Sequence, residues 1–285
     1  MTNTLPSTNE LWNAVMDGSF SIEEPRSDVL VLNSLQDNDR VGTIKRFILQ
    51  EGHVDICEEL GASADDPPLD GVDVADVAYS VYSNTLWDGS LLLASLLRAE
   101  PWRVHGRRVL EIGAGLGLAS AVAAALGAHV VATEQPPLHL LRREICRNQQ
   151  IIRAGDGSIS AQALDWAEPP ELIVRRLGRF DMVIGCDILA GVKPGTSHFK
   201  QILDIVQKVG TVWAECLLTW VPRCHVELAK LMDAVHLSLP DWKVVFLAES
   251  ALASAYRAEG AQILSGKAMF LCTAAEGPEC SQAGI

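Results

Sequence analysis

Residues 107–117 read RRVLEIGAGLG. An apolar run suited to a buried strand ends in an acid, Glu111. The chain then turns through Gly113, Gly115 and Gly117 into LASAVAAALG, an Ala-rich helix former. Strand, glycine turn and helix together make a nucleotide-cradling unit. Glycines without Cβ atoms let the backbone take φ > 0 and come close to a ligand, and the following helix offers unpaired N–H groups.

The glycine spacing narrows the ligand. A dinucleotide fingerprint needs glycines at its first, third and sixth positions. Counted from Gly113, the sixth position is Leu118, and the third glycine comes one place early at Gly117. NAD is therefore disfavoured, and with no Lys-Ser/Thr pair after the glycines a P-loop is excluded. A second apolar strand, VVATE, ends in Glu134, 21 residues after Gly113. At that distance a crossover helix returns the chain to the sheet and an acid can meet a ribose. An ordinary βα turn with a solvated acid is the plain alternative.

Glu-x-Gly-x-Gly-x-Gly followed by Glu134 resembles the cofactor motif of class I, seven-β-strand S-adenosylmethionine-dependent methyltransferases. The resemblance implies a site in which glycines permit close approach and carboxylates meet the ribose hydroxyls and the ammonium. It assigns Glu111, Gly113, Gly115, Gly117 and Glu134 to S-adenosyl-L-methionine.

The rest of the chain is consistent with such a core. From residue 86 strands and helices alternate: strands at 107–112, 129–133, 158–164, 180–185 and 211–214, helices over 138–150, near 198–208 and near 224–235, and closing strands near 243–248 and 267–273. This alternation predicts an α/β, Rossmann-like seven-stranded sheet, mostly parallel with an antiparallel edge strand. Residues 1–85 read as an N-terminal extension or cap with strands at 29–32 and 53–57 and a turn-rich stretch at 61–71. Residues 86–275 form the core domain, and 276–285 a mobile tail.

Within 86–275 several segments resemble one branch of these enzymes, the non-SET protein lysine methyltransferases. Trp87-Asp88-Gly89 before LLLASLL resembles that branch's Trp-bearing helix, which lies against the cofactor. LDWAE at 164–168 resembles its Leu-Asp-Trp segment, implying that Asp165 meets the adenine amino group and Trp166 packs beside it. FDMVIGCDIL at 180–189 resembles its fourth strand, with Asp187 at the mouth as the catalytic group that orients or deprotonates the acceptor. Each residue also has a plainer reading: Trp87 as a packing aromatic, Asp165 as a turn cap before Pro169-Pro170. The branch carries Asp-x-x-Tyr after strand four, whereas this chain has Asp187-Ile188-Leu189-Ala190. Tyr79, Tyr82 and Trp220 are the candidates to replace the missing aromatic. No Asn/Asp-Pro-Pro-Tyr/Phe sequence, the hallmark of amide and base methylation, is present.

Composition bounds the partners. A net charge of −13 opposes binding to nucleic acid, which needs clustered Lys and Arg; an acidic surface would steer a basic protein partner, or serve solubility alone. The longest apolar runs fall short of the roughly 20 residues of a membrane span. MTNTLPSTNE carries neither a basic segment nor an apolar core, so a cytoplasmic location, with or without the nucleus, is expected. Seven scattered cysteines without a C-x-x-C pair point to reduced thiols. No metal site is expected, because His105, His129, His198, His225 and His236 share no ligand spacing. Three functions stay open: methylation of a protein lysine, which leads, methylation of a small-molecule nitrogen, and an inactive fold that binds a partner.

Overall fold

The computed structural model describes residues 31–37, 40–59, 84–188, 197–220, 235–240, 242–246 and 267–273. Tyr79, Tyr82, Ala190, the stretch at 61–71, most of the helix expected near 224–235 and the tail from 276 lie outside the described residues, as does the side chain of Trp220.

Three strands, β1 (Val31–Asp37), β2 (Arg40–Leu49) and β3 (Gly52–Glu59), form an antiparallel sheet in the order β1-β2-β3. Of the expected strands, 53–57 lies within β3 and 29–32 shares only residues 31 and 32 with β1; β2 is unexpected, because its RVGTIKRFIL interrupts an apolar pattern with Lys45 and Arg46. Both charges are balanced across the sheet. Arg46 sits opposite Asp55 and binds it with two bonds of 2.8 Å, and Lys45 reaches Glu58 at 2.7 Å.

The second sheet has seven strands in the order β6-β5-β4-β7-β8-β10-β9. These are β4 (Arg108–Ile112), β5 (His129–Glu134), β6 (Ser158–Ala163), β7 (Phe180–Cys186), β8 (Gly210–Trp220), β9 (Trp242–Phe246) and β10 (Lys267–Thr273). β4 and β7 are apolar and buried along nearly their whole length, as central parallel strands must be, whereas SISAQA in β6 is mostly exposed at the edge. The reversed strand is β10, antiparallel to both β8 and β9 and one place in from the edge. β8 runs past the predicted end at 214. Glu215 looks like a terminator, but Arg107 Nη1 meets its carboxylate at 2.5 Å and the strand continues.

Helices α1 (Asp88–Ala99), α2 (Leu118–Ala125), α3 (His139–Arg147), α4 (Gln149–Ala154), α5 (Pro170–Leu177) and α6 (Ser197–Val209) cover the faces. On one face α1 and α2 pack with Phe47, Val54 and Ile56 of the small sheet; on the other α5 and α6 bury Ile173, Phe199, Ile202 and Val206. The predicted helix over 138–150 divides at Asn148. The Asn148 amide donates to Asp55 O at 2.8 Å and accepts from Asp55 N at 2.8 Å, so it pairs with the edge of β3 as a neighbouring strand would. Glu144, fully buried, accepts from Cys57 N at 3.0 Å, Arg143 Nε at 2.6 Å and Arg147 Nε at 3.1 Å. A buried carboxylate is tolerable only with such a set of donors. The small sheet is thus fastened to α3 and α4 by polar bonds, and to α1 by Phe47, over which the Arg98 guanidinium lies at 5.2 Å.

β4 pairs with β5 on one side and β7 on the other, so the chain changes direction across the sheet at this point. The carboxyl ends of β4, β5 and β7 therefore open a crevice, the place where ligands collect in folds of this kind.

Candidate active site

Four neighbouring strands each carry an acid at or near the end that opens this crevice: Glu111 in β4, Glu134 ending β5, Asp165 just beyond β6 and Asp187 just beyond β7. The glycine loop lies between the first two. Gly113, Gly115 and Gly117 have φ of 67°, 54° and 77°, a left-handed conformation that costs an L side chain about 1–2 kcal/mol. The loop is pinned to β5. Ala114 N donates to Thr133 O at 2.9 Å, and Gly115 N donates to Glu134 Oε2 at 2.7 Å. A phosphate loop aims its N–H groups at an anion. Here a carboxylate already takes the Gly115 N–H, which sets the mouth for hydroxyl and cationic groups. Gly113 and Gly117 leave room for protein: a Cβ on Gly113 would stand 2.8 Å from Ile188 Cγ2 and 3.4 Å from Trp166 Cζ2, and one on Gly117 2.6 Å from Leu141 Cδ1.

Glu111 is 1% exposed. Its carboxylate accepts from Ser120 N at 3.0 Å, from Ser120 Oγ, and from the Cys186 thiol at 3.6 Å. Ser120 lies in the first turn of α2, whose own N-cap, Gly117, has no side chain to offer. Glu111 thus caps α2 from the strand before it. Burial pushes its pKa up to about 7, against the lowering effect of the Ser120 and Cys186 bonds. Burial and the charges of Glu111 and Asp187 push the Cys186 thiol well up as well, so it stays neutral.

Asp165 is exposed, and its Oδ1 accepts from Ala167 N at 2.9 Å, the turn-capping geometry. Leu164 N donates to Glu134 O at 3.0 Å, which sets Asp165 and Trp166 beside Glu134. Trp166 packs on the α5–α6 core and over Gly113.

On the other side of β4, Trp87 is the N-cap of α1 and makes no side-chain cap bond. Asp187, a non-glycine residue at φ 54°, sends Oδ2 to Gly89 N at 2.8 Å. Asp187 N donates to Thr219 O at 2.8 Å, and the buried Thr219 Oγ1 donates to Gly89 O at 2.7 Å. The structure thereby brings Trp87 and Asp187 to one corner, and Glu134, Asp165, Trp166 and the glycine loop to the other. Gly89, Ser120, Thr219 and Ile188 were missed in the sequence. Gly89 had a signal, a glycine directly after the acid that opens a helix, whereas Thr219 had none. Among the described residues no group of three His, Cys, Asp or Glu side chains is arranged to hold a metal.

A family model described as lysine methyltransferase matches residues 70–232. Among curated proteins, a Danio rerio protein N-lysine methyltransferase METTL21A is 33% identical over 105 residues, 36% of this chain and 46% of that protein. A Gibberella zeae protein N-terminal and lysine N-methyltransferase EFM7 is 34% identical over 125 residues, 42% of this chain and 43% of that protein. The chain spans a little under half the length of these relatives. Among solved structures, a T. thermophilus 16S rRNA N2 G1207 methyltransferase is similar with TM-score 0.44 and 18% identity, over 87% of this chain and 52% of that one.

Proposed function

The chain belongs to the lysine methyltransferase family, and from that premise we propose that it transfers the methyl group of S-adenosyl-L-methionine to the side-chain nitrogen of a protein lysine. The observation that carries the reading is the bond from Gly115 N to Glu134, which turns a glycine loop of the nucleotide-binding kind toward hydroxyls and positive charge. Bound there, S-adenosylmethionine supplies an electrophilic methyl carbon on a sulfonium.

On this reading Glu134 would hold the ribose hydroxyls, Asp165 and Trp166 would meet the adenine, and the Gly113–Gly117 backbone would carry the nucleoside. Glu111 keeps that loop in register through Ser120, and Trp87 would close the methionine end. Glu134 and the exposed Asp165 at the mouth suit a ligand that carries hydroxyls and positive charge. The lysine ammonium would first release its proton to water; its lone pair would then form the N–C bond in line as the C–S bond broke, with the electron pair left on sulfur as a neutral thioether. No group on the enzyme is alkylated, so positioning does most of the work. The net charge of −13 favours a basic protein as acceptor, and the relatives' names point to lysine.

Purified protein incubated with radiolabelled S-adenosylmethionine and a whole-cell lysate tests this directly. The expected result is label in a protein band, with methyl-lysine found by mass spectrometry. Label confined to small molecules, or none at all, would refute lysine methylation. Calorimetry that finds NAD bound but neither S-adenosylmethionine nor S-adenosylhomocysteine would remove the cofactor assignment too.

A further inference from the structure

The sequence singles out Asp187 as the acceptor-side catalytic acid, but its surroundings give it other work. Resting on the methyltransferase reading, we infer that Asp187 is a positioning residue: it is the borrowed N-cap of α1 and fixes Trp87 against the cofactor site, and it is not the base that takes the lysine proton.

The first amides of any helix lack intrahelical partners, and an oxygen acceptor at the N-cap normally serves the second or third of them. Trp87 occupies that position with an indole and supplies no cap. The second helical residue, Gly89, receives the Asp187 Oδ2 at 2.8 Å in its place. A carboxylate there also meets the positive end of the helix dipole. Only glycine allows the contact, since a Cβ at residue 89 would stand 2.5 Å from Oδ2 and 2.8 Å from Cγ.

Three hydrogen bonds close a ring around this contact. Gly89 N donates to Asp187 Oδ2, Asp187 N donates to Thr219 O at 2.8 Å, and Thr219 Oγ1 donates to Gly89 O at 2.7 Å. The ring joins the ends of β7 and β8 to the start of α1. It is held from below by Ile188, buried between the glycines of two strands' ends: a Cβ on Gly185 would stand 2.6 Å from Ile188 Cδ1 and one on Gly113 2.8 Å from its Cγ2. With residue 188 wedged there, Asp187 takes φ 54°, and its carboxylate turns toward α1. A general base must lie within hydrogen-bond reach of the proton it takes; here Oδ2 of the carboxylate is committed to the Gly89 amide at the junction of three elements.

The test compares Asp187→Asn, Asp187→Gly and Thr219→Val with the wild-type chain. Asn keeps an oxygen acceptor and tolerates left-handed φ, whereas glycine removes the acceptor without adding backbone strain. Three quantities are read: S-adenosylhomocysteine affinity by calorimetry, methyl transfer from labelled S-adenosylmethionine to lysate protein, and hydrogen exchange of residues 84–92. In Asp187→Gly, affinity should fall about tenfold, the scale of one N-cap bond. Transfer should fall with it, and the first turn of α1 should exchange faster. Thr219→Val should move all three the same way by a smaller factor. Asp187→Asn should recover affinity and transfer to within about threefold of wild type. An Asn variant that binds S-adenosylhomocysteine normally yet loses transfer as fully as the Gly variant would make Asp187 the base and overturn the inference. So would an Asp187→Gly protein with unchanged affinity and exchange. A wild-type chain that binds no S-adenosylhomocysteine overturns the methyltransferase reading itself, and this inference with it, before any variant is compared.

Discussion

Helices α1 and α2 both begin at the mouth of the sheet without a cap on their own N-cap residue, and each takes a carboxylate from the end of a strand. For α2 the acid is Glu111, nine positions before the amide it serves; for α1 it is Asp187, 98 positions after. The chemistry is the same and the sequence distance is not. Glu111 is sealed off at 1% exposure with three donors around it, a part of the protein's own framework. Asp187 is half-buried, where the framework meets the crevice. The comparison shows that an acid at a strand end in this fold can serve a helix before it serves a ligand, so location at the mouth does not by itself assign a chemical role.

The glycine loop beside Glu111 should give the largest effect. Gly115→Arg places a long side chain at φ 54°, at the residue whose N–H meets Glu134. S-adenosylhomocysteine binding by calorimetry should fall below detection, while the circular dichroism of the folded chain is kept. Binding within about tenfold of wild type would show that the ligand does not lie over this loop, and the local side of the comparison would lose its function.

How far each side could be read in advance follows from distance along the chain. Gly113, Gly115, Gly117 and Glu134 were legible because a strand, a turn and one crossover helix fix their relation. The strands β4 to β7 were legible because buried parallel strands are apolar on both faces. Asp165 and Trp166 stand in their expected place after β6, and the same carboxylate also caps its own turn through Ala167 N. The Asp187–Gly89–Thr219 ring was not legible: it joins positions 98 and 130 apart, and nothing in a threonine within CLLTW announces a partner in WDG. The same holds for β2, whose Lys45 and Arg46 look wrong for a strand until Glu58 and Asp55 are seen across from them, and for Asn148, which imitates a strand for β3.

Glu134 allows a second, smaller test on the local side. If it holds the ribose as well as the Gly115 amide, Glu134→Ala should cost about 1.5–3 kcal/mol of S-adenosylhomocysteine affinity, the range for a hydrogen bond to a charged group. Glu134→Gln keeps an acceptor for Gly115 N and should lose less. Equal losses in the two variants would mean that the charge of Glu134 matters, and not its bond to the loop. No loss in either would remove Glu134 from the cofactor site.

The smallest expected effect separates the two capping acids by pH. Burial raises Glu111 to about 7 from an ordinary 4.5. The folded chain therefore holds a proton that the unfolded chain has released between those values, and stability falls as pH rises through this window, then levels above it. At the shift stated, the loss between pH 5 and pH 7 is about 2 kcal/mol. Glu111→Gln keeps an oxygen for the Ser120 N–H and hydroxyl and turns its amide toward the Cys186 sulfur, so α2 stays capped and the titration is gone. Guanidinium unfolding at a series of pH values should show the wild type losing about 2 kcal/mol more than Glu111→Gln between pH 5 and pH 7. Parallel profiles would mean that Glu111 is ionised throughout, held so by its donors. In that case the two acids would differ only in the length of chain between each and its helix.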